Sequence, residues 1–267
     1  LEAELLLGKV LGLDRTRLYI DYDRPLEEDE IARFRELLLI RARDKIPLAY
    51  LIGEKSFGGL SFFIPRGVFI PRPETEELVE AVAARIRKKE AFGGSTFSVL
   101  DLCTGSGAVA VTLARMFPGA LILAVDISPV AVQAARANAA RHGVGERVTA
   151  VVGDLFTAVE AGRLFAVVVA NPPYIPTPAM ADLPREIREY EPREALDGGP
   201  DGLTIIRRIV EMAPRYLLPG GLLALEHGHD QGEALATLAA AAGLVGIAIQ
   251  KDLAGRPRIL LAEKPKA

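Results

Sequence analysis

Cysteine is nearly absent from this chain of 267 residues, which contains only Cys103. A single cysteine excludes an intramolecular disulfide framework and is typical of a reducing compartment, so we expect a cytoplasmic protein. Histidine is also scarce, with three in the whole sequence. No cluster of cysteine and histidine has the spacing of metal ligands, so the sequence predicts no metal site.

The chain also lacks a hydrophobic run long enough to span a membrane. Its longest uncharged stretch, residues 234–249, contains Gly243 and Gly246, which favour a helix end followed by a strand. The acidic start at Leu1-Glu2 is unlike a secretory signal, and because no initiator methionine is present we expect a truncated or processed N-terminus. The net charge of −3 gives no overall electrostatic attraction to nucleic acid.

The first 55 residues have a helical pattern and no catalytic motif. A second helix is expected after Pro25, because the acidic residues 27–30 suit the positive end of a helix. We interpret residues 1–55 as a partner-recognition domain, with a packing appendage as the alternative.

Two further regions follow this helical start. Residues 56–72 change to a two-residue hydrophobic period around Gly58-Gly59, which predicts a β-hairpin and a linker. Residues 73–267 form the main domain, whose first helix is expected to run to about Lys89.

From residue 97 onward, short apolar strands alternate with amphipathic helices, which predicts an α/β fold with a parallel, doubly wound sheet. Strands are expected at 97–102, 121–126, 148–152, 164–170, 221–227, 246–250 and 258–262. Helices are expected near 108–117, 129–142, 203–216 and 231–242.

The fourth of these strands ends at Asn171-Pro172-Pro173-Tyr174. Two prolines cannot continue a central strand, so the turn leaves an amide and a phenol at the edge where α/β sheets bind ligands. The Asn171 carboxamide oxygen and the Pro172 carbonyl are two acceptors that suit a planar NH2 group, and a tyrosine ring can stack on it. A plain strand-end turn is the alternative.

The ends of the three preceding strands predict a cofactor site. The glycine-containing segment Asp101 to Gly107 is neither G-x-G-x-x-G nor a P-loop. Asp126 can accept both ribose hydroxyls, and Asp154 with Leu155 can contact an adenine, although a strand-end aspartate is often only a helix cap. Together these residues suit S-adenosylmethionine. The expected cofactor-binding residues are Cys103, Thr104, Gly105, Ser106, Gly107, Asp126, Asp154, Leu155 and Asn171.

With these motifs and several others, the chain resembles the bacterial protein-(glutamine-N5) methyltransferases that modify class I peptide chain release factors. The matching segments are 70–76, 101–107, 171–174, 190–192, 195–203, 226–232 and 251–256. The resemblance implies a class I SAM-dependent methyltransferase domain at residues 73–267, with a Rossmann-like, mostly parallel seven-stranded sheet. It also implies a small N-terminal helical domain that helps to hold the release factor.

The resemblance implies that the acceptor is the glutamine of the release factors' Gly-Gly-Gln loop. Asn171, Pro172 and Tyr174 are the expected catalytic residues, and Pro173 and Arg72 are expected to join them in binding substrate. Arg72 stands between two prolines as a rigidly presented cation. The proline-rich residues 175–200 are interpreted as a partly ordered flap over the acceptor peptide, with a mobile tether as the alternative.

Two sequence departures and two rival functions remain. Cys103 replaces the usual glycine of the family, so its φ is expected to stay negative, and Leu155 replaces an aromatic residue of some relatives. The N-terminal bundle is expected to lack part of the family's first helix. The rivals are a DNA or RNA amino-group (adenine N6) methyltransferase and a non-catalytic binding subunit. We expect a monomer without direct nucleic-acid binding, in which His227 and His229 have structural roles.

Overall fold

The computed structural model describes residues 1–88 and 96–266. Its N-terminal part is helical, with bounds at α1 (Glu2–Leu11), α2 (Arg15–Ile20), α3 (Glu28–Leu39) and α4 (Leu48–Ile52). A π-helical turn, Ile40–Asp44, continues α3. The start of α3 follows from its acidic residues, because Glu27 and Glu30 form a reciprocal capping box. The helix expected after Pro25 is thereby confirmed.

A β-hairpin, β1 (Glu54–Phe57) and β2 (Leu60–Phe63), joins these helices to the rest of the chain. It turns at Gly58-Gly59, both of which have positive φ. The hairpin is attached to the glycine loop by Asn138, whose side chain donates to the carbonyls of Phe63 and Ser106 and accepts the Phe63 N–H. The hairpin and the glycine loop are therefore held by one buried amide.

The main sheet has seven strands in the order β5-β4-β3-β6-β7-β9-β8. Its strands are β3 (Phe97–Leu102), β4 (Ala120–Asp126), β5 (Val148–Val152), β6 (Phe165–Ala170), β7 (Leu217–Glu226), β8 (Val245–Lys251) and β9 (Pro257–Glu263). Strand β9 runs opposite to the other six strands and pairs antiparallel with β7 and β8, so the mostly parallel seven-stranded sheet is confirmed. The strand order reverses between β3 and β6, which opens a crevice at their carboxyl ends.

Helices cover both faces of this sheet, and their bounds are α5 (Pro73–Lys88), α6 (Ala108–Met116), α7 (Pro129–Arg141), α8 (Arg185–Tyr190), α9 (Thr204–Tyr216) and α10 (Gly232–Ala241). Residue Lys89, the expected end of α5, lies outside the described residues. Strand β6 is buried throughout; Val167 and Val169 face the core under α5–α7, and Val168 and Ala170 face the core under α9 and α10. Burial on both faces explains its continuous apolar run.

The flap, residues 175–200, is more regular than expected. It contains two 3₁₀ turns and α8, and Ile175 forms an isolated parallel bridge with Asp197. Its α8 contacts the N-terminal helices: the Tyr190 hydroxyl donates to the Asp44 carbonyl at 2.7 Å, and Arg41 pairs with Glu186 at 2.6 Å. The flap is thus a bridge between the two halves of the chain.

Candidate active site

A cavity of about 420 Å³ lies at the carboxyl ends of β3, β4, β5 and β6, within the size range of small-molecule sites. The expected site residues that line it are Arg72, Cys103, Thr104, Gly105, Ser106, Asp126, Asp154, Leu155, Asn171, Pro172, Pro173 and Tyr174. Gly107 is the exception. It precedes α6 with φ +79°, and a Cβ there would lie 3.0 Å from Ala135 Cβ, so Gly107 serves helix packing rather than the cavity wall.

The loop after β3 corrects the expectation for Cys103, whose φ is +57° instead of negative. A left-handed conformation costs a non-glycine residue roughly 1–2 kcal/mol. The turn is held because the next N–H, that of Thr104, donates to the Val125 carbonyl of β4 at 3.1 Å. Beyond it, Gly105 has φ +56° and open space where a Cβ would point. A ligand can therefore approach this backbone closely.

Asp126 at the end of β4 is already hydrogen-bonded within the protein. Its Oδ2 accepts the Gly105 N–H at 2.8 Å, and its Oδ1 accepts the Ser128 N–H at 2.9 Å. Each carboxylate oxygen has a second lone pair for a ligand donor. Burial raises the pKa of Asp126, so hydroxyl donors from a ribose would compensate a poorly solvated charge. The acceptor oxygens of Asp126 therefore fit the ribose of S-adenosylmethionine.

At the end of β5, Asp154 and Leu155 form the next part of the wall. Asp154 Oδ2 accepts a hydrogen bond from Arg208 of α9 at 2.7 Å, so the carboxylate at the cavity wall forms an ion pair within the protein. Leu155 is buried and has φ +51°. Its left-handed backbone directs an apolar side chain into the wall, where the sequence predicts an adenine contact.

Asn171 and Tyr174 share a buried hydrogen-bond chain. Asn171 Nδ2 donates to Thr75 Oγ1 at 2.9 Å, and Thr75 Oγ1 donates to Glu226 Oε2 at 2.7 Å. The Tyr174 hydroxyl donates to Glu226 Oε1 at 3.1 Å. Burial raises the pKa of Tyr174, and it raises the pKa of Glu226 to about 7.

Among residues 1–88 and 96–266, none donates a hydrogen bond to Asn171 Oδ1 or to the Pro172 carbonyl. Two acceptors at the cavity wall are therefore available to an incoming NH2 group. Sequence reasoning assigned no role to Thr75 or Glu226. The available signal for Glu226 was an acidic residue that ends an apolar strand at the ligand-binding edge.

Arg72 lies in the cavity wall but is not a free cation. Its guanidinium is paired with the buried Glu191 and sits 4.9 Å from the centre of the Phe69 ring. Glu191 also accepts the Ile70 N–H at 3.2 Å. Glu191 of the flap therefore balances the charge of Arg72, and the expected contact of Arg72 with substrate stays a prediction.

A second buried carboxylate, Asp101, was also missed as a site residue. It lies in the cavity wall, accepts from Thr104 Oγ1 at 2.6 Å, and burial raises its pKa to about 7.

His227 is buried with Nδ1 2.7 Å from the Gly228 carbonyl oxygen, and His229 is exposed. Within the described ranges, no group of three or more His, Cys, Asp or Glu residues could hold a metal ion. No helix described there is long and apolar enough to cross a membrane.

Two family models match the chain: the PrmC N-terminal domain over residues 1–53, and a methyltransferase domain over residues 99–190. The chain is also similar to proteins named release factor glutamine methyltransferase. That of Geobacter sulfurreducens is 43% identical over 260 residues, covering 97% of this chain and 88% of the relative. That of Moorella thermoacetica is 44% identical over 263 residues, covering 98% and 90%.

Solved structures share the fold at lower identity. The hMettl16 catalytic domain has a TM-score of 0.61 at 15% identity, covering 90% of this chain and 83% of the other. The T. thermophilus 16S rRNA N2 G1207 methyltransferase has a TM-score of 0.58 at 22% identity, covering 79% and 49%. At these identities the likeness establishes the fold alone.

Proposed function

This chain belongs to the release factor glutamine methyltransferase family, and we propose that it transfers a methyl group from S-adenosyl-L-methionine to a release-factor glutamine. The acceptor atom is the side-chain amide nitrogen, N5, of the Gly-Gly-Gln loop in class I peptide chain release factors. This modification supports translation termination. The observation that carries the proposal is the pair of available acceptors, Asn171 Oδ1 and the Pro172 carbonyl, in the cavity wall.

The bound cofactor supplies a methyl group made electrophilic by a positively charged sulfur. We assign its binding to the backbone and side chains of Cys103, Thr104, Gly105, Ser106, Asp126, Asp154, Leu155 and Asn171. In this assignment Asp126 accepts the ribose hydroxyls, and Leu155 contacts the adenine. Gly107 contributes indirectly, because it allows the turn that begins α6.

The residues at the end of β6 have the task of placing a poor nucleophile. An amide nitrogen is weak because its lone pair is delocalised into the carbonyl group. Asn171 Oδ1 and the Pro172 carbonyl accept its two N–H hydrogens, Tyr174 packs on the amide plane, and Pro173 stiffens the turn. Such positioning contributes up to about 7–11 kcal/mol. The hydrogen bonds strengthen as the nitrogen becomes positive, so they favour the transition state over the ground state.

No general base is required in this scheme, because the cationic amide formed by transfer is strongly acidic and loses its proton afterwards. We assign residues 1–55 to recognition of the release factor, residues 56–72 to the connection, and residues 73–267 to cofactor binding and transfer. The proposed protein is a cytoplasmic monomer without direct nucleic-acid binding. The names of the relatives do not favour adenine N6 of DNA or RNA as the acceptor.

In the test, the enzyme and radiolabelled methyl donor are incubated separately with purified release factor, with a Gln→Ala loop variant of that factor, and with nucleic acid. Label is expected in the unmodified factor alone. Asn171→Ala should lower kcat by about 10²-fold or more, since one positioning group is lost, while donor affinity changes far less. Label in the Gln→Ala factor or only in nucleic acid would refute the proposed acceptor, and full activity in Asn171→Ala would refute the role of Asn171.

A further inference from the structure

The hydrogen-bond chain Asn171–Thr75–Glu226–Tyr174, called here the relay, connects four side chains from three parts of the molecule. Thr75 lies in the first turn of α5, and Glu226 ends β7, 151 residues away in sequence. Both are buried, at 3% and 1% exposure. We propose that Thr75 and Glu226 are positioning residues that fix which atom of the Asn171 carboxamide faces the acceptor. This inference rests on the proposed function.

Counting protons explains how the relay selects one orientation. A threonine hydroxyl has one proton, and an ionised carboxylate can only accept. Thr75 Oγ1 lies 2.7 Å from Glu226 Oε2, so its proton is directed to Glu226. Thr75 can then only accept from Asn171, which must present Nδ2 to it at 2.9 Å. Oδ1, on the other branch of the carboxamide, is left to the cavity.

The opposite orientation would disable the site. A carboxamide rotated by half a turn presents its own NH2 group to the NH2 group of the acceptor, and two donors cannot bond each other. An isolated asparagine can rotate in this way with little change in shape. The relay prevents the rotation, because a flipped Asn171 would put a carbonyl oxygen against Thr75 Oγ1, whose only proton is already donated.

The orientation of the Asn171 carboxamide depends on whether Glu226 is ionised. Arg258 of β9 favours the ionised form and Glu74 of α5 opposes it, while Thr75 and Tyr174 donate hydrogen bonds to it. Burial is the largest effect and raises the pKa of Glu226 to about 7. When Glu226 is protonated, one of its oxygens becomes a donor, and Thr75 is free to donate to Asn171. The relay is therefore complete above this pKa.

The first test compares matched substitutions of two buried threonines. Thr75→Val keeps the shape but removes the hydroxyl, and it should lower kcat by about 10²-fold with little change in KM for release factor or in donor affinity. Thr75→Ser retains the hydroxyl and should restore most of the kcat. Thr112→Val on α6 is the control, because the described structure gives Thr112 Oγ1 no hydrogen-bond partner, and its kcat should equal the parent's.

The second test is the pH profile of Glu226→Gln. In the parent, kcat should rise with pH through about 7 as Glu226 ionises. A glutamine does not ionise, and its carboxamide oxygen can still accept from Thr75, so the kcat of the variant should have no rising limb in this range. A residue that only supports packing would not change the shape of the pH profile.

Each outcome decides the inference. It is overturned if folded Thr75→Val has the parent's kcat, if Thr75→Ser loses as much as Thr75→Val, or if Glu226→Gln keeps the rising limb. Should Thr75→Val fail to fold, the pH profile of Glu226→Gln decides alone. Failure of the proposed function has a different signature, since the parent enzyme itself would then leave glutamine unmodified. The kcat ratios between the variants and the parent would then be measured with adenine as the acceptor, because an Asn171 carboxamide oriented by the relay can accept from the adenine NH2 group in the same way.

Discussion

Replacing Arg72 by methionine should destabilise the protein strongly, because it leaves a buried charge without its partner. The Glu191 side chain is 1% exposed and Arg72 is 29% exposed. Breaking a buried ion pair costs roughly 3–5 kcal/mol, and the partial exposure of Arg72 places the expected loss near the lower end, at about 3 kcal/mol. For a chain of this size, about 3 kcal/mol corresponds to a fall in Tm of roughly 6–12 °C.

Thermal unfolding of Arg72→Met, Glu191→Gln and the double variant forms a cycle that isolates this pair. In the double variant no carboxylate is left uncompensated, and a glutamine oxygen can still accept the Ile70 N–H. We therefore expect it to regain most of the lost stability. A fall in Tm of only a degree or two in Arg72→Met, or a double variant as unstable as the single one, would refute this reasoning.

The same cycle separates two roles of Arg72. Its expected contact with the substrate stays a prediction, which the KM for release factor addresses. If Arg72 contacts the substrate, KM rises in Arg72→Met and stays raised in the double variant. If Arg72 only neutralises Glu191, KM returns toward the parent value together with Tm.

Three other substitutions have outcomes that follow from the described contacts. Burial raises the pKa of Asp101 from 3.8 to about 7, so the folded protein keeps a proton that the unfolded chain releases, and the free energy of unfolding falls as pH rises from about 4 to 7. Asp101→Asn should remove up to roughly 4 kcal/mol of this fall in the free energy of unfolding, as measured by urea unfolding between about pH 4 and 7. The same dependence of unfolding free energy on pH in the variant and the parent would contradict this. Gly107→Ala should lower Tm, since φ is +79° and the new Cβ would meet Ala135 at 3.0 Å; an unchanged Tm would show that the loop can move. Asp126→Asn should weaken donor binding by about tenfold or more, measured by calorimetry, and parental affinity would exclude Asp126 from the cofactor site.

Much of the sheet was predictable because buried parallel strands are short apolar runs bounded by turn residues. Strands β3 and β5 begin and end where the sequence predicted. Strand β7 was predicted to start at Gly221 but starts at Leu217. The start was missed because Pro219-Gly220 has the pattern of a turn. In the structure these two residues lie within a register irregularity, where Leu217 pairs with Phe165 and regular pairing resumes only at Leu222. Such an irregularity tolerates a proline.

The site was predictable to the extent that its residues follow strands. Asp126, Asp154 and Asn171 meet because the carboxyl ends of parallel strands lie at one edge of the sheet. The partners of these residues were not predictable from sequence, because they depend on how α5 and the flap lie over that edge. Thr75 and Glu226 are 151 residues apart, and Arg72 and Glu191 are 119 apart. The positive φ of Cys103 is equally a property of the loop, since the residue type argues against it.

The way in which α8 is fastened has a consequence for substrate entry. Arg41 pairs with Glu186 on α8 and also with Glu2 on α1, and Tyr190 holds the carbonyl of Asp44. We therefore expect a protein that binds the N-terminal helices to shift α8 as well, because these contacts join the two. We expect a short acceptor peptide that does not reach those helices to leave α8 in place.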